Sequence, residues 1–159
     1  MPELRTERLR LIPLAPAHAG AYTEFMPEED ARRETAAAEA HWRAHGFGPW
    51  AVLEDDRFVG FAEVHYAGAG IGGIAPDEVE VGWVIAAAEH GRGLATEAMT
   101  AAIADGWARA RTGHVAAYIR PWNAASIRVA EKLGFRVRGP GHARSGDAVT
   151  IYVLDAPAP

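Results

Sequence analysis

Three groups of residues carry the chemistry open to this chain. The first centres on Glu80, inside Val79-Glu80-Val81-Gly82-Trp83-Val84-Ile85, a run rich in β-branched and aromatic residues. Side chains alternate along a strand, so Val79, Val81, Trp83 and Ile85 share one face and Glu78, Glu80, Gly82 and Val84 the other. A carboxylate in mid-strand marks either a solvated face or a cleft. In a cleft, burial raises its pKa toward the range of a general base. Glu78 is the second candidate for that role. His65, at the end of another strand beside a glycine-rich loop, is the third, although a lone His there also suits a structural or surface position.

The second group is the turn His90-Gly91-Arg92-Gly93-Leu94-Ala95-Thr96. Its glycines let backbone approach a ligand closely, and amides at the start of a following helix point outward, an arrangement that suits phosphate. Arg92 is placed to meet an anion from the side, and Thr96 adds a hydroxyl. An ordinary strand-to-helix turn has the same composition. No Gly-Lys-Ser/Thr follows, so this is not a P-loop, and the third glycine of a dinucleotide fingerprint is absent. The third group is Asn123-Ala124-Ala125-Ser126, which by itself reads as a helix cap and first turn.

The elements that must position these groups follow from pattern. Leu9 and Leu11 alternate with polar residues before Pro13, which predicts a strand, and Pro16 opens a short helix through Tyr22 and Phe25. Asp30 is the expected N-cap of a second helix rich in Ala, stopped by Gly46. Trp50 to Leu53 and Phe58 to Tyr66 read as a hairpin, and Gly68 to Gly73 as a loop. Val79 to Ile85 is a strand, Gly93 to Arg111 a helix, His114 to Ile119 a strand and Ala124 to Leu133 a helix closed by Gly134. Phe135 to Arg138 and Val149 to Leu154 complete the sheet. The order is β-α-α-β-β-β-α-β-α-β-β, an α/β (α+β) chain read as a single domain over residues 1–159.

Composition narrows the function. With 49% apolar residues there is enough for a sizeable core, and with no Cys there is neither thiolate metal site nor cysteine nucleophile, so no metal is expected. A net charge of −5 disfavours a nucleic-acid partner and mildly favours a cationic one such as an amine. No apolar run is long enough to span a membrane and no leader is evident, so a cytoplasmic location is expected.

Taken together, Glu80-Val81-Gly82-Trp83, Gly91-Arg92-Gly93-Leu94-Ala95-Thr96-Glu97-Ala98, Asn123-x-x-Ser126 and Lys132-Leu133-Gly134-Phe135 resemble the GCN5-related N-acetyltransferases (GNAT). Leu4-Arg5-Thr6-Glu7-Arg8-Leu9-Arg10-Leu11, His41-Trp42 and Gly46-Phe47-Gly48-Pro49-Trp50-Ala51-Val52 resemble the branch that acetylates ribosomal-protein N-termini. The resemblance implies a mixed, mostly antiparallel sheet of about seven strands with about four helices. It implies that acetyl-coenzyme A lies in a splay between the Val79–Ile85 and His114–Ile119 strands. Its pantetheine would pair with backbone near Val84 and Ile85, its pyrophosphate would rest on His90, Gly91, Arg92, Gly93, Leu94, Ala95 and Thr96, and Asn123 would bond it near the thioester. His90 replaces the family's usual Gln or Arg. Ala130 replaces the tyrosine that protonates the leaving thiolate in many members, and in the ribosomal-protein branch a serine in the place of Ser126 serves instead. A homodimer through a sheet edge is common in the family.

The implied reaction is attack of a neutral amine on a thioester. Freeing the lone pair of a lysine-like amine at neutral pH costs about 4.6 kcal/mol, and of an α-amino group about 1.4, so the substrate sets the strength of base required. Glu80 is the expected base and Ser126 the expected acid. The acceptor is a small-molecule or peptide amine, chosen by the first two helices and the loops Gly68 to Asp77 and Gly139 to Asp147, with Tyr22, Phe25, Met26 and Trp42 as candidate lining. The competing reading is a coenzyme A-binding module that has lost catalysis.

Overall fold

The computed structural model describes residues 1–159. In chain order its elements are β1 (Leu4–Arg5), β2 (Arg10–Pro13), α1 (Ala19–Tyr22), α2 (Glu28–His45), β3 (Trp50–Glu54) and β4 (Arg57–Tyr66). Then come β5 (Val79–Ile85), α3 (Leu94–Ala110), β6 (His114–Ile119), α4 (Ala124–Leu133), β7 (Arg136–His142) and β8 (Ala148–Asp155). The eight strands form one sheet in the order β1-β2-β3-β4-β5-β6-β8-β7, antiparallel throughout except where β5 meets β6. This is the mixed, mostly antiparallel α/β architecture that the element order implies. The additional strand is β1, a two-residue segment bridging to β2, too short for any alternation to show it. No helix is long and apolar enough to cross a membrane.

Local chemistry explains most of the boundaries. Helix α2 buries Ala31, Thr35, Ala38 and Trp42, steps of four, three and four residues that keep one stripe against the sheet. It begins two residues before the expected cap. Pro27 occupies the N-cap, and Asp30 lies inside the first turn with Glu28 and Glu29, where the three carboxylates face the positive end of the helix dipole. Gly46 ends α2 in the left-handed conformation, φ +74°, as expected. The first helix is shorter than predicted: a 3-10 turn over Pro16–His18 runs into α1, which stops at Tyr22. Phe25 then packs edge-on against Tyr22 and Phe61 outside any helix. Asp55 and Asp56 join β3 to β4, both at positive φ (49° and 61°), the signature of a tight hairpin turn whose twist matches its strands.

Helix α3 carries the main core. Leu94, Ala98, Met99, Ala102 and Ile103 are buried against Val64, Val79, Val81, Val115 and Ala117 on one face of the sheet. The opposite face holds two separate apolar groups. One gathers Leu14, Tyr22, Ala31, Ala38, Leu53 and Phe61 under α1 and α2. The other gathers Ile71, Ile74, Ala116, Val149, Ile151 and Val153 under the Gly68–Asp77 loop. Glu80 belongs to neither, because it lies on this second face between them.

Close packing between β4 and β5 supplies a test. A Cβ on Gly60 would stand 2.1 Å from the Val84 carbonyl oxygen and 3.0 Å from Ile85 Cα, backbone atoms that cannot turn aside, whereas one on Gly113 would meet open space. Gly60→Ala is expected to destabilise the fold by about 2 kcal/mol or more and Gly113→Ala by less than about 0.5 kcal/mol. Urea midpoints check this, and equal midpoints would mean that the β4–β5 pair relaxes freely.

Candidate active site

The ladder between β5 and β6 has a single rung, Glu80 opposite Ala116. Strand β5 pairs with β4 along its whole length, while β6 pairs fully with β8 on its far side. The two halves of the sheet therefore separate beyond Glu80. Which backbone groups this exposes follows from ladder parity. Ala67 N–H donates to the Glu78 carbonyl (2.9 Å) and Ala86 N–H to the Val59 carbonyl (2.8 Å). Residues facing a partner alternate in an antiparallel ladder, so Glu78, Glu80, Gly82 and Val84 turn their amides and carbonyls toward β4. Val79, Val81, Trp83 and Ile85 turn theirs toward β6. Past the rung, the N–H and C=O of Trp83 and the N–H of Ile85 face a gap. The Ile85 carbonyl is in contact with His90 Nε2, at 2.7 Å. Strand backbone free to pair on the cleft side thus falls at Trp83 and Ile85, one residue away from Val84.

The gap is a cleft of about 230 Å³ walled by Glu80, Gly82, Trp83 and Val84 on one side and by Ala117, Tyr118 and Ile119 on the other, with Asn123 and Ser126 at the start of α4. Two buried polar atoms on its walls have no partner, Glu80 Oε2 and Trp83 Nε1. Orphaned buried groups are rare, and each calls for a partner.

Glu80 is only 4% exposed. Burial pushes its carboxyl up to about 7, with the nearby Glu63 carboxylate acting in the same direction and His65 against it. His65 Nε2 lies 3.9 Å from Glu80 Oε2, beyond hydrogen-bond range, while its Nδ1 is 2.8 Å from the Tyr66 carbonyl, which as a pure acceptor requires the proton on Nδ1. Glu78, two residues away, has the opposite fate. It accepts hydrogen bonds from Arg138 Nη2 (2.6 Å) and Ala75 N–H (2.7 Å) and contacts His114 Nε2 (2.7 Å). Its carboxyl is driven down to about 2, first by Arg138, so it stays ionised and paired.

The turn after β5 presents Gly91 and Gly93 in the left-handed conformation, φ +80° and +78°. Gly93 caps α3 without a side chain, which leaves the first-turn amides of Leu94, Ala95 and Thr96 without helical partners. The Arg92 side chain points away from this role. It is held by Glu54 (2.7 Å) and Glu89 (2.5 Å), in a network joined by Arg57, and so anchors the turn to the β3–β4 hairpin. Residues that the sequence reading did not single out complete the support. Glu97 accepts from Thr6 Oγ1 (2.5 Å), Arg8 N–H (2.9 Å) and Arg8 Nε (2.8 Å), and Arg8 Nη1 donates to the Arg92 carbonyl (2.9 Å). Asn123 Oδ1 accepts from Ser126 N–H (3.2 Å), so Asn123 is a helix cap and a cleft residue at once. Ala130 is sealed in the core. Glu63, Tyr118 and Trp122 also line the cleft. Glu63 carried the same signal as Glu80, a carboxylate in mid-strand, and strand alternation would have placed it on the same face once β4 was registered against β5.

The chain belongs to the GNAT acetyltransferases: residues 8–136 match the acetyltransferase (GNAT) domain. It is similar to YkkB, an uncharacterized protein of Bacillus subtilis, at 36% identity over 98 residues, 58% of this chain. That match spans about half (52%) of the relative's length. Among solved structures, a putative GNAT-family acetyltransferase from Bordetella pertussis superposes with a TM-score of 0.84 at 28% identity, covering 96% of this chain and 99% of the other. A putative ribosomal-protein-serine acetyltransferase from Vibrio cholerae shares the fold at 17% identity, TM-score 0.75, covering 97% of each chain.

The contrast between the two glutamates is measurable in stability. Glu78, lowered in the folded state, contributes stability present above its unfolded pKa near 4.5 and lost as pH falls toward 2. Glu80, raised in the folded state, makes the fold lose stability as pH rises from 4.5 to 7. Glu80→Gln is therefore expected to gain on the parent protein over that interval, by roughly 3 kcal/mol at its plateau. Glu78→Gln should flatten the acid limb. Denaturant unfolding across pH checks both, and parallel curves would remove Glu80 from its buried, unpaired state.

Proposed function

We propose that the protein transfers an acetyl group from acetyl-coenzyme A to a primary amine, with Glu80 taking the amine's proton. The observation that carries the reading is Glu80 at the vertex of the split, buried, with one oxygen unpartnered and a carboxyl poised near neutrality. A base is most useful when its pKa lies near the working pH. The residues present fit the coenzyme. The first-turn amides from Gly91 to Thr96 would hold its pyrophosphate, and the unpaired strand backbone of Trp83 and Ile85 its amide-bearing arm. His90 fits there through the strand, because its ring bonds the Ile85 carbonyl.

When bound, the coenzyme supplies the activated acyl carbon as a thioester. Glu80 accepts a proton from the amine, directly or through one water. The amine nitrogen would add to the acyl carbon to give an oxyanion, whose collapse would break the carbon–sulfur bond, and Ser126, which lines the cleft at the α4 start, would protonate the departing sulfur. An N–H of Trp83 or Ile85 steadies the oxyanion. A thiol near pKa 8.5 is a good enough leaving group for a hydroxyl donor to suffice, which accommodates Ala130 in place of a tyrosine.

Thiol release is expected to follow a pH profile with an inflection near 7 that belongs to Glu80. Glu80→Gln should lower kcat/KM by about a hundredfold or more and move the inflection to the amine's own pKa. An unchanged profile would reassign the base. Ser126→Ala should lower kcat by about tenfold with acetyl-coenzyme A affinity retained. If it matches the parent enzyme while Tyr118→Phe does not, the proton for the thiolate comes from Tyr118 across the cleft.

A further inference from the structure

The cleft does not end at Glu80. On the same face, Glu63 stands opposite Gly82 in the β4–β5 register, its carboxylate so close that a Cβ on Gly82 would meet Oε2 at 2.9 Å. Glu63 is also a wall of a second chamber of about 150 Å³, lined by Tyr22, Glu34, Ala38, His41 and His65. Glu34 comes from α2, so Glu63 is a wall shared by both chambers, with Glu80 lining the first and Glu34 the second.

Glu34 has a loose ion pair with Arg33 (3.8 Å), but the two acids on the sheet lack counter-charges. Neither Glu63 nor Glu80 has an ion pair with a Lys or Arg; the nearest basic contact is the 3.9 Å approach of His65 to Glu80. His41 cannot supply charge without breaking its bonds. It contacts the Phe47 carbonyl through Nδ1 (2.8 Å) and accepts the Tyr66 N–H at Nε2 (3.1 Å), which fixes the neutral tautomer. Arg144, whose charge reaches both carboxylates, spends its guanidinium on the carbonyls of Ala67 and Ala69. An independent sign that a cation completes the site is Glu80 itself, 96% buried with Oε2 unpartnered on the shared cleft. A buried carboxylate is costly until a cation or donor reaches it.

We propose that the acceptor is a short aliphatic diamine, one amine losing its proton to Glu80 while the other stays protonated between Glu63 and Glu34. The rest of the second chamber, including Leu14, Ala37, Ala38 and Pro49, is small and apolar and suits methylene groups. Its volume is well below the roughly 300 Å³ of a drug-sized pocket, a size that suits a short aliphatic chain. This deepens the acetyl-transfer reading and rests on Glu80 as its base.

The test compares 1,4-diaminobutane with n-butylamine, and with a serine-initiated tetrapeptide free of basic side chains, by thiol release from acetyl-coenzyme A. The diamine's kcat/KM is expected to exceed that of butylamine by about tenfold or more, the scale of one charge-assisted contact. The ratio should collapse toward one in Glu63→Gln and fall several-fold in Glu34→Gln, which sits on a helix surface and leaves the core intact. Circular dichroism verifies that both variants fold. Equal use of the two amines, a ratio preserved in both variants, or a tetrapeptide turned over faster than the diamine would overturn the proposal. Turnover of butylamine without diamine preference removes this inference alone, whereas no thiol release above background with any of the three acceptors counts against the acetyl-transfer reading as well.

Discussion

One rung of β-ladder, Glu80 against Ala116, joins the two halves of this sheet, and the site exists because there is no second. A fully paired β5–β6 ladder would consume the backbone groups of Trp83 and Ile85 and leave no cleft. A complete break would separate the halves. The rung survives because α3 clamps both strands from the opposite face, with Met99, Ala102 and Ile103 packed in the same core as Val79, Val81, Val115 and Ala117. Apolar burial on one face thus allows unpaired backbone on the other, and that unpaired backbone is what a strand-like ligand can bond.

The same rung sets the electrostatics. Glu78 and Glu80 share a strand face two residues apart, yet one is held near pKa 2 and the other near 7. The difference lies in the neighbours. Glu78 sits within reach of Arg138 and His114, on the far half of the sheet. Glu80 sits between two apolar groups, with His65 near, Glu63 adding a like charge and the Arg144 guanidinium bonded to backbone carbonyls instead. One carboxylate ties the halves together, and the other is left with an incomplete shell where they part.

The anion-facing turn is stiffened by ions that do not face the ligand. Arg92 is committed to Glu54 and Glu89, and Glu97 draws Thr6 and Arg8 of the β1–β2 connection against the start of α3. These contacts are exposed and individually weak. As a network they hold the first turn of α3 in place, with the N-terminal segment serving as a brace.

Much of this was legible in the chain alone. The limits of β5, β6 and α4, the left-handed stops at Gly46 and Gly134, and the glycine turn follow from alternation, helical stripes and the conformational freedom of glycine, all local properties. A mid-strand glutamate, too, was legible as a group that needs a cleft or a solvated face. What sequence could not decide was partnership. Asp30 had the composition of a cap but Pro27 took the position. Arg92 had the charge to meet an anion but found two carboxylates from distant segments. Glu78 and Glu80 are equivalent by pattern, and Val84 and Trp83 differ only by which neighbouring strand claims the backbone. Strand register and the meeting of β4, β5 and α2 settled those choices, because hydrogen-bond direction and pKa depend on groups brought together from far along the chain. Sequence determined that there would be a strand, an amide turn and a carboxylate. Tertiary structure decided which carboxylate lies buried and alone.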